Sequence, residues 1–165
     1  MGELVLVRVD ERLIHGVICV TWAPNVNADT IIAVDDITAN DDFVKSIMKS
    51  SASGASGLNA DILTIDNAVS SWKEKGLGEG RILLIFKSIE DAYNAYEKGL
   101  NFTSLQLGWT NPKKGRERID QSLCISEADV DLVRKMEKDY GVEVNMQYSP
   151  QFEPVSFEYG IKGKF

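Results

Sequence analysis

The chain has one histidine, His15, and within the seven positions before it stand Arg8, Asp10, Glu11 and Arg12. Neutral imidazole is a good nucleophile near pH 7, and a phosphoramidate formed on it keeps a high transfer potential. Arginine offers planar, permanently charged donors that match phosphate oxygens. A neighbouring acid can orient the ring and select the tautomer with a free nucleophilic nitrogen. Gly16 lets the backbone approach closely, and amides exposed at a helix start add anion affinity. Phosphoryl transfer asks mostly for positioning and charge stabilisation, and this segment offers both. The competing reading is a satisfied structural histidine within an apolar Leu-Ile-x-Gly stretch.

Hydrophobic patterning places the segment where a strand gives way to a helix. Leu4 to Val9 reads as a first strand, and Leu13 to Ala23 as a helix stopped near Pro24. Thr30 to Val34 is a second strand, followed by the polar turn Asp35 to Thr38 and a helix from about Asn40 to Ser50. Asp61 to Ile65 is a third strand, Asn67 to Lys75 a helix, and Arg81 to Phe86 a nearly all-apolar fourth strand. Ser88 with Asp91, and Ser126 with Asp129, have the spacing of helix-capping pairs. Ser104 to Leu107, Leu123 to Ile125 and Val142 to Gln147 complete the strands, and Pro150 to Phe165 has no clear period. The alternation predicts an α/β fold, a doubly wound, mostly parallel twisted sheet with helices on both faces. In such sheets ligands gather at the carboxyl ends of the strands, which selects the loops 10–16, 35–40, 66, 87–88 and 108–118.

With 165 residues, 44% hydrophobic and 26% charged, the chain reads as one domain spanning residues 1–165. No window approaches the ~20 apolar residues of a membrane span, and the first residues lack a signal-peptide pattern, so a soluble chain is expected. A net charge of −7 argues against nucleic acid as a partner. Cys19 and Cys124 lie far apart in apolar stretches and read as buried thiols of a reducing cytoplasm.

The loop from Asn111 to Arg118 collects Lys113, Lys114, Arg116 and Arg118 in an otherwise acidic chain. It is either a solvated loop or a rim that steers a partner, with Lys113, Lys114 and Arg118 as the docking candidates. Asp35, Asp36, Asp41 and Asp42 suggest a magnesium site less well than they suit turns and helix starts. Gly76, Gly78 and Gly80 follow a helix and precede a strand, the reverse of a dinucleotide fingerprint. With no Walker loop, zinc spacing or EF-hand loop, no cofactor and no metal are expected.

Asp10-Glu-Arg-Leu-Ile-His-Gly16 resembles the active-site segment of phosphotransferase system (PTS) IIB components of the mannose, fructose and sorbose family, Asp-x-Arg-Leu-Ile-His-Gly-Gln-Val. The likeness continues through Thr21-Trp22, Ile31 to Asp36, Asn40 to Asp42, Leu83 to Phe86, Leu105 to Gly108, Gly115-Arg116 and Ser126 to Asp129. It spans about Val5 to Val144, and Thr21-Trp22 with Asn40 to Asp42 look closest to the amino-sugar branch, which includes N-acetylgalactosamine-type systems. It implies a phosphoryl group carried on Nδ1 of His15, with Asp10, Arg12, the Gly16 backbone and, in a lesser share, Arg8 around the phosphate. It further implies an antiparallel edge strand, a phospho-EIIA donor that Lys113, Lys114 and Arg118 would meet, and a hexose or amino-sugar acceptor held by membrane EIIC and EIID. The protein would be cytoplasmic and peripherally attached to that transporter, with self-association left open. Two positions depart from the family pattern. Val17 replaces Gln, and Leu107-Gly-Trp-Thr110 replaces Val-Gly-Gly-Met. The rival reading is a non-transferring regulatory or sugar-phosphate binding module on the same fold.

Overall fold

The computed structural model describes residues 1–165, the Ala55 side chain apart. β1 (Glu3–Asp10) turns its apolar side chains Val7 and Val9 to one face of a sheet and Leu6 and Arg8 to the other, as the period-2 geometry of a strand demands. The chain becomes helical at residues 16–25, later than the expected start at Leu13, because a tight turn intervenes. Within it, Ile18–Trp22 is π-helical, with the Ala23 N–H donating to the Ile18 carbonyl, and it runs into the short α1 (Ala23–Asn25). Pro24 has no N–H to give to the preceding turn, and the helix widens just before it.

β2 (Thr30–Val34) leads to two helices where the sequence suggested one. Asp35 caps α2 (Asp36–Ala39) and Asp41 caps α3 (Asp42–Ser56), each accepting a backbone N–H three residues on. The acidic run therefore does the work of helix starts. Then follow β3 (Asn59–Leu63), α4 (Ile65–Lys75), β4 (Arg81–Phe86) and α5 (Ile89–Glu97). β5 (Ser104–Trp109) reaches two residues beyond its expected end. β6 (Glu117–Arg118) and β7 (Cys124–Ile125) pair as a separate antiparallel ribbon, outside the main sheet. α6 (Glu127–Tyr140) opens on a reciprocal Ser126–Asp129 capping box and closes on Gly141 at φ 67°, a left-handed position suited to glycine.

The chain ends in β8 (Glu143–Met146), β9 (Val155–Ser156) and α7 (Phe157–Gly160). The sheet has the order β3-β2-β4-β1-β5-β8-β9, parallel except for the antiparallel edge strand β9. α4, α5 and α6 bury their apolar residues with Val7 and Val9, whereas residues 16–25 and α3 cover the opposite face with Leu13, Ile14 and Trp22. The helical segment following β1 thus leaves on the face opposite to those following its neighbours β4 and β5. That divergence opens a crevice at the carboxyl end of β1. Val34, Phe86, Val9 and Leu107 lie level across β2, β4, β1 and β5, so the loops after these strands gather on one rim. Cys19 and Cys124 are buried free thiols. Among the described residues, no helix is long and apolar enough to cross a membrane.

The tail without a sequence period is anchored by two side chains, Phe157 and Ile161, that enter the main core at 0% and 1% exposure. Phe157→Ala should cost about 3–5 kcal/mol of stability in urea unfolding, as for other large side chains removed from a core.

Candidate active site

The turn after β1 is shaped by the Asp10 carboxylate. Its Oδ1 accepts the Arg12 backbone N–H at 3.0 Å, and the Asp10 carbonyl accepts the Leu13 N–H at 3.0 Å. These bonds close a turn in which Leu13 takes φ 57°, a left-handed conformation that costs a residue with a β-carbon about 1–2 kcal/mol. Burial of Leu13 to 1% exposure under the helical segment offsets a cost of that size. The turn carries His15 back over Asp10, so that its Nε2 lies 3.4 Å from Asp10 Oδ2. An ionised carboxylate only accepts hydrogen bonds, so this approach favours the tautomer with its proton on Nε2 and a lone pair on Nδ1. The His15 side chain is 20% exposed.

Asp10 itself is fully buried, yet it is held ionised. Burial alone would raise its pKa, but hydrogen bonds from His15 and Arg12 and the charges of Arg12 and Arg8 outweigh burial and lower it to about 2. Arg12 meets the carboxylate with both Nε and Nη2 at 3.0 Å, a bidentate pair, while its guanidinium lies 4.2 Å from the Trp109 ring centre.

Arg8 lies beneath. Its Nε sits 3.5 Å from Asp10 Oδ2, an ion pair without hydrogen-bond alignment. Nη1 donates to the Gln106 side chain and, at 2.9 Å, to the Gln147 carbonyl, while the guanidinium lies 4.7 Å from the Trp22 ring centre. Burial lowers its pKa to about 10 in spite of Asp10. A β-carbon on Gly108 would fall 2.0 Å from Arg8 Cζ, so only glycine leaves room for this guanidinium. The expectation of Arg8 beside a phosphate is corrected accordingly, because with 0% exposure it cannot meet a surface anion. Arg12, with its side chain 31% exposed, can.

Gly16 is exposed, and a β-carbon there would touch nothing within 4 Å. The first helical bond runs from the Cys19 N–H to the His15 carbonyl, so the amides of Gly16, Val17 and Ile18 precede the ladder. Val17 is exposed and adds no polar group beside them. On the other flank, Glu11 latches the basic loop to the turn. It pairs with Arg116, accepts from Asn111 at 2.8 Å and lies 3.9 Å from Lys113 Nζ. Lys114 and Arg118 are exposed, Arg118 donating to the Asp120 carbonyl at 3.3 Å.

Asp10, Arg12 and His15 therefore meet within hydrogen-bond or near hydrogen-bond range, Lys113 and Lys114 lie in the loop following the strand beside them, and Arg118 lies in the β6 strand that this loop leads into. Gln106 and Gln147 are further parts of the site that the sequence did not single out, and Glu11 and Trp22, both named there, take places beside it. Gln106 carried a usable signal, a polar residue inside the apolar run Leu105-Gln-Leu107. The arrangement offers a nucleophilic nitrogen, a bidentate guanidinium and a fixed counter-charge on an open surface, which suits acceptance of an anionic group from another macromolecule.

The lowered pKa of Asp10 sets a pH window. A carboxyl depressed in the fold contributes stability that is complete above its ordinary value of 3.8 and is lost as pH falls toward about 2. Wild type should lose about 2 kcal/mol between those limits that Asp10→Asn does not lose, as read from urea unfolding at stepped pH.

Comparison with known proteins agrees with this geometry. The profile of the PTS system sorbose subfamily IIB component matches residues 4–162. The N-acetylgalactosamine-specific phosphotransferase enzyme IIB component 1 of Escherichia coli is 27% identical over 148 residues, covering 90% of this chain and 92% of that protein. The mannose-specific EIIAB component of E. coli K12 is 25% identical over 142 residues, which are 86% of this chain but 43% of that longer protein. The crystal structure of manxB from Thermoanaerobacter tengcongensis superposes with a TM-score of 0.90 at 29% identity, covering 100% of this chain and 98% of that one. With turn, sheet and nearly the full length in agreement, the chain belongs to the sorbose subfamily of PTS IIB components, the phosphocarriers of sugar uptake.

Proposed function

We propose that His15 is the phosphoryl acceptor and donor of this IIB component. The carrying observation is the 3.4 Å approach of His15 Nε2 to the ionised Asp10, which fixes the proton there and leaves Nδ1 as nucleophile. In the forward step the N–P bond of a phosphohistidine on EIIA breaks as the His15 Nδ1–P bond forms, and the donor imidazole leaves. In the second step a sugar hydroxyl presented by EIIC and EIID attacks phosphorus, the His15 N–P bond breaks, and the hydroxyl proton passes to water or the departing ring.

Arg12 neutralises the transferring group, since its guanidinium keeps donors beyond the two spent on Asp10. The amides of residues 16–18 add donors without charge. Arg8 acts one layer down as a positioning residue, holding Asp10 ionised while Arg12 turns to phosphate. The reading places the protein in the cytoplasm, in contact with the membrane transporter. Hexoses and amino sugars both fit what is known of the relatives, whose names include sorbose, mannose and N-acetylgalactosamine.

Incubation with phosphoenolpyruvate, the general phosphotransferase proteins and cognate EIIA should add one phosphoryl group at His15, labile in acid and stable in alkali. His15→Ala should stay folded and take up none, whereas Arg12→Ala should fold and transfer about 10²–10³-fold more slowly. A wild-type chain that stays unphosphorylated would sink the reading in favour of the non-transferring module.

The basic loop supports EIIA docking, since rim charges act chiefly on association rate. Replacing Lys113, Lys114 and Arg118 with Ser should slow uptake from EIIA and flatten its salt dependence in rapid-quench kinetics. Unchanged uptake at low salt would rule out that role.

A further inference from the structure

His15 stands between two lips of unlike chemistry. On the β5 side, Trp109 pairs in register with Asp10, and the loop that follows brings Lys113 and Lys114 to the rim. On the β2 side, two strands away, Val34 lies level with Val9 through Phe86, so the loops after β2 begin roughly 10 Å from the end of β1. That second lip is apolar and acidic. Ile37 and Phe43 are 79% and 75% exposed, far more than large apolar side chains need be, and Val17 and Val20 are exposed on the neighbouring helical segment. α3 packs against that segment and against α2, so these exposed side chains belong to neighbouring elements on this side of the sheet. Asp36, Asp41 and Asp42 are exposed among them. Lys87 pairs with the buried Asp35 at 3.6 Å, and Lys45 turns toward Asp61 at 3.4 Å, leaving the lip net negative.

A phosphocarrier presents one nucleophile to two partners in turn, and two lips of opposite sign can each meet a partner of complementary charge. The basic lip suits an acidic donor surface. The cytoplasmic loops of membrane-embedded proteins carry an excess of Lys and Arg, so they complement an acidic lip whose apolar centre supplies the contact area. From this charge complementarity we infer that the face formed by Val17, Ile37, Asp42 and Phe43 docks the basic cytoplasmic surface of the membrane-embedded sugar-binding partner. The inference rests on the phosphocarrier reading above. It assigns the two lips to two successive complexes that share His15.

The test compares full-length wild type with an Ile37→Ser, Asp42→Lys, Phe43→Ser variant, whose altered side chains are exposed and leave the core untouched. The probes are inside-out vesicles holding the cognate EIIC and EIID, with protein-free vesicles of the same lipids beside them. Wild type should float with the former and not the latter, and the variant should need about tenfold more protein or greater for half-saturation. Its rate of phosphate uptake from EIIA should stay within about twofold of wild type. Unchanged vesicle binding overturns the inference. So does an equal loss of uptake from EIIA, which would give the lip to the donor. So does binding to lipid alone, or a wild-type dimer in sedimentation that the variant dissolves. Flotation requires no phosphorylation, so a chain that binds the EIIC and EIID vesicles but takes up no phosphate would defeat the His15 reading while sustaining the docking surface.

Discussion

The buried carboxylate of Asp10 is the interaction on which the rest of the site depends. Burying one charge without partners costs several kcal/mol, and here three side chains and a backbone amide repay it. Each repayment also has a structural effect. The bond to the Arg12 amide forms the turn, the contact with His15 favours a proton on Nε2, and the pair with Arg8 ties the strand end to Gln106 on β5 and to Gln147 beyond β8. Two guanidiniums against one carboxylate leave the cluster with one excess positive charge in a chain of net −7. An anion is thus attracted to a point within a field that repels it elsewhere.

Placement of the two arginines divides their labour. Arg8 is wedged against Gly108 and the Trp22 ring with no exposed atom, a fixed charge that cannot follow a moving group. Arg12 rests on Trp109 at the surface, where the cation–π contact keeps it extended without burying it. With one edge bonded to Asp10, the Arg12 guanidinium keeps its remaining donors at the surface, while Asp10 keeps Arg8 as a deeper partner. The substitution of Trp109 for the glycine common in the family therefore adds a platform for Arg12.

Much of this was legible in the sequence where local rules decide. Arg81 to Phe86 was bounded correctly because a strand buried on both faces is apolar along its length. The Ser88 and Ser126 starts were legible because a cap needs only residues three apart. The turn, the imidazole of His15 and the exposed Arg12 fall within six residues, Asp10 to His15, so their proximity needs no tertiary knowledge. The late helix start was not legible, since Leu13 reads as the first residue of an apolar helix face and instead takes a left-handed turn position. Nor was the burial of Arg8, which depends on the space left by Gly108 a hundred residues later. The Glu11 latch on Arg116 joins residues 105 apart and has no local signature. The edge strand β9 has two residues, too few to show a period.

The openness of the site follows from its task. An enzyme that binds a small substrate gains by enclosing it, whereas a carrier must be reached by a protein on each side of its cycle. Enclosure of the Asp10–Arg12–His15 cluster would exclude both, and an apolar rim unbroken by charge would hold whichever partner came first. Rim charge avoids that trap, because electrostatic steering raises the association rate while leaving the bound state weak enough to dissociate. The Asp10 cluster holds its geometry without any partner, since its bonds are all made within the chain. On the proposal that His15 is the acceptor, each encounter meets a preorganised nucleophile and needs to supply only contact and the phosphoryl group or its acceptor.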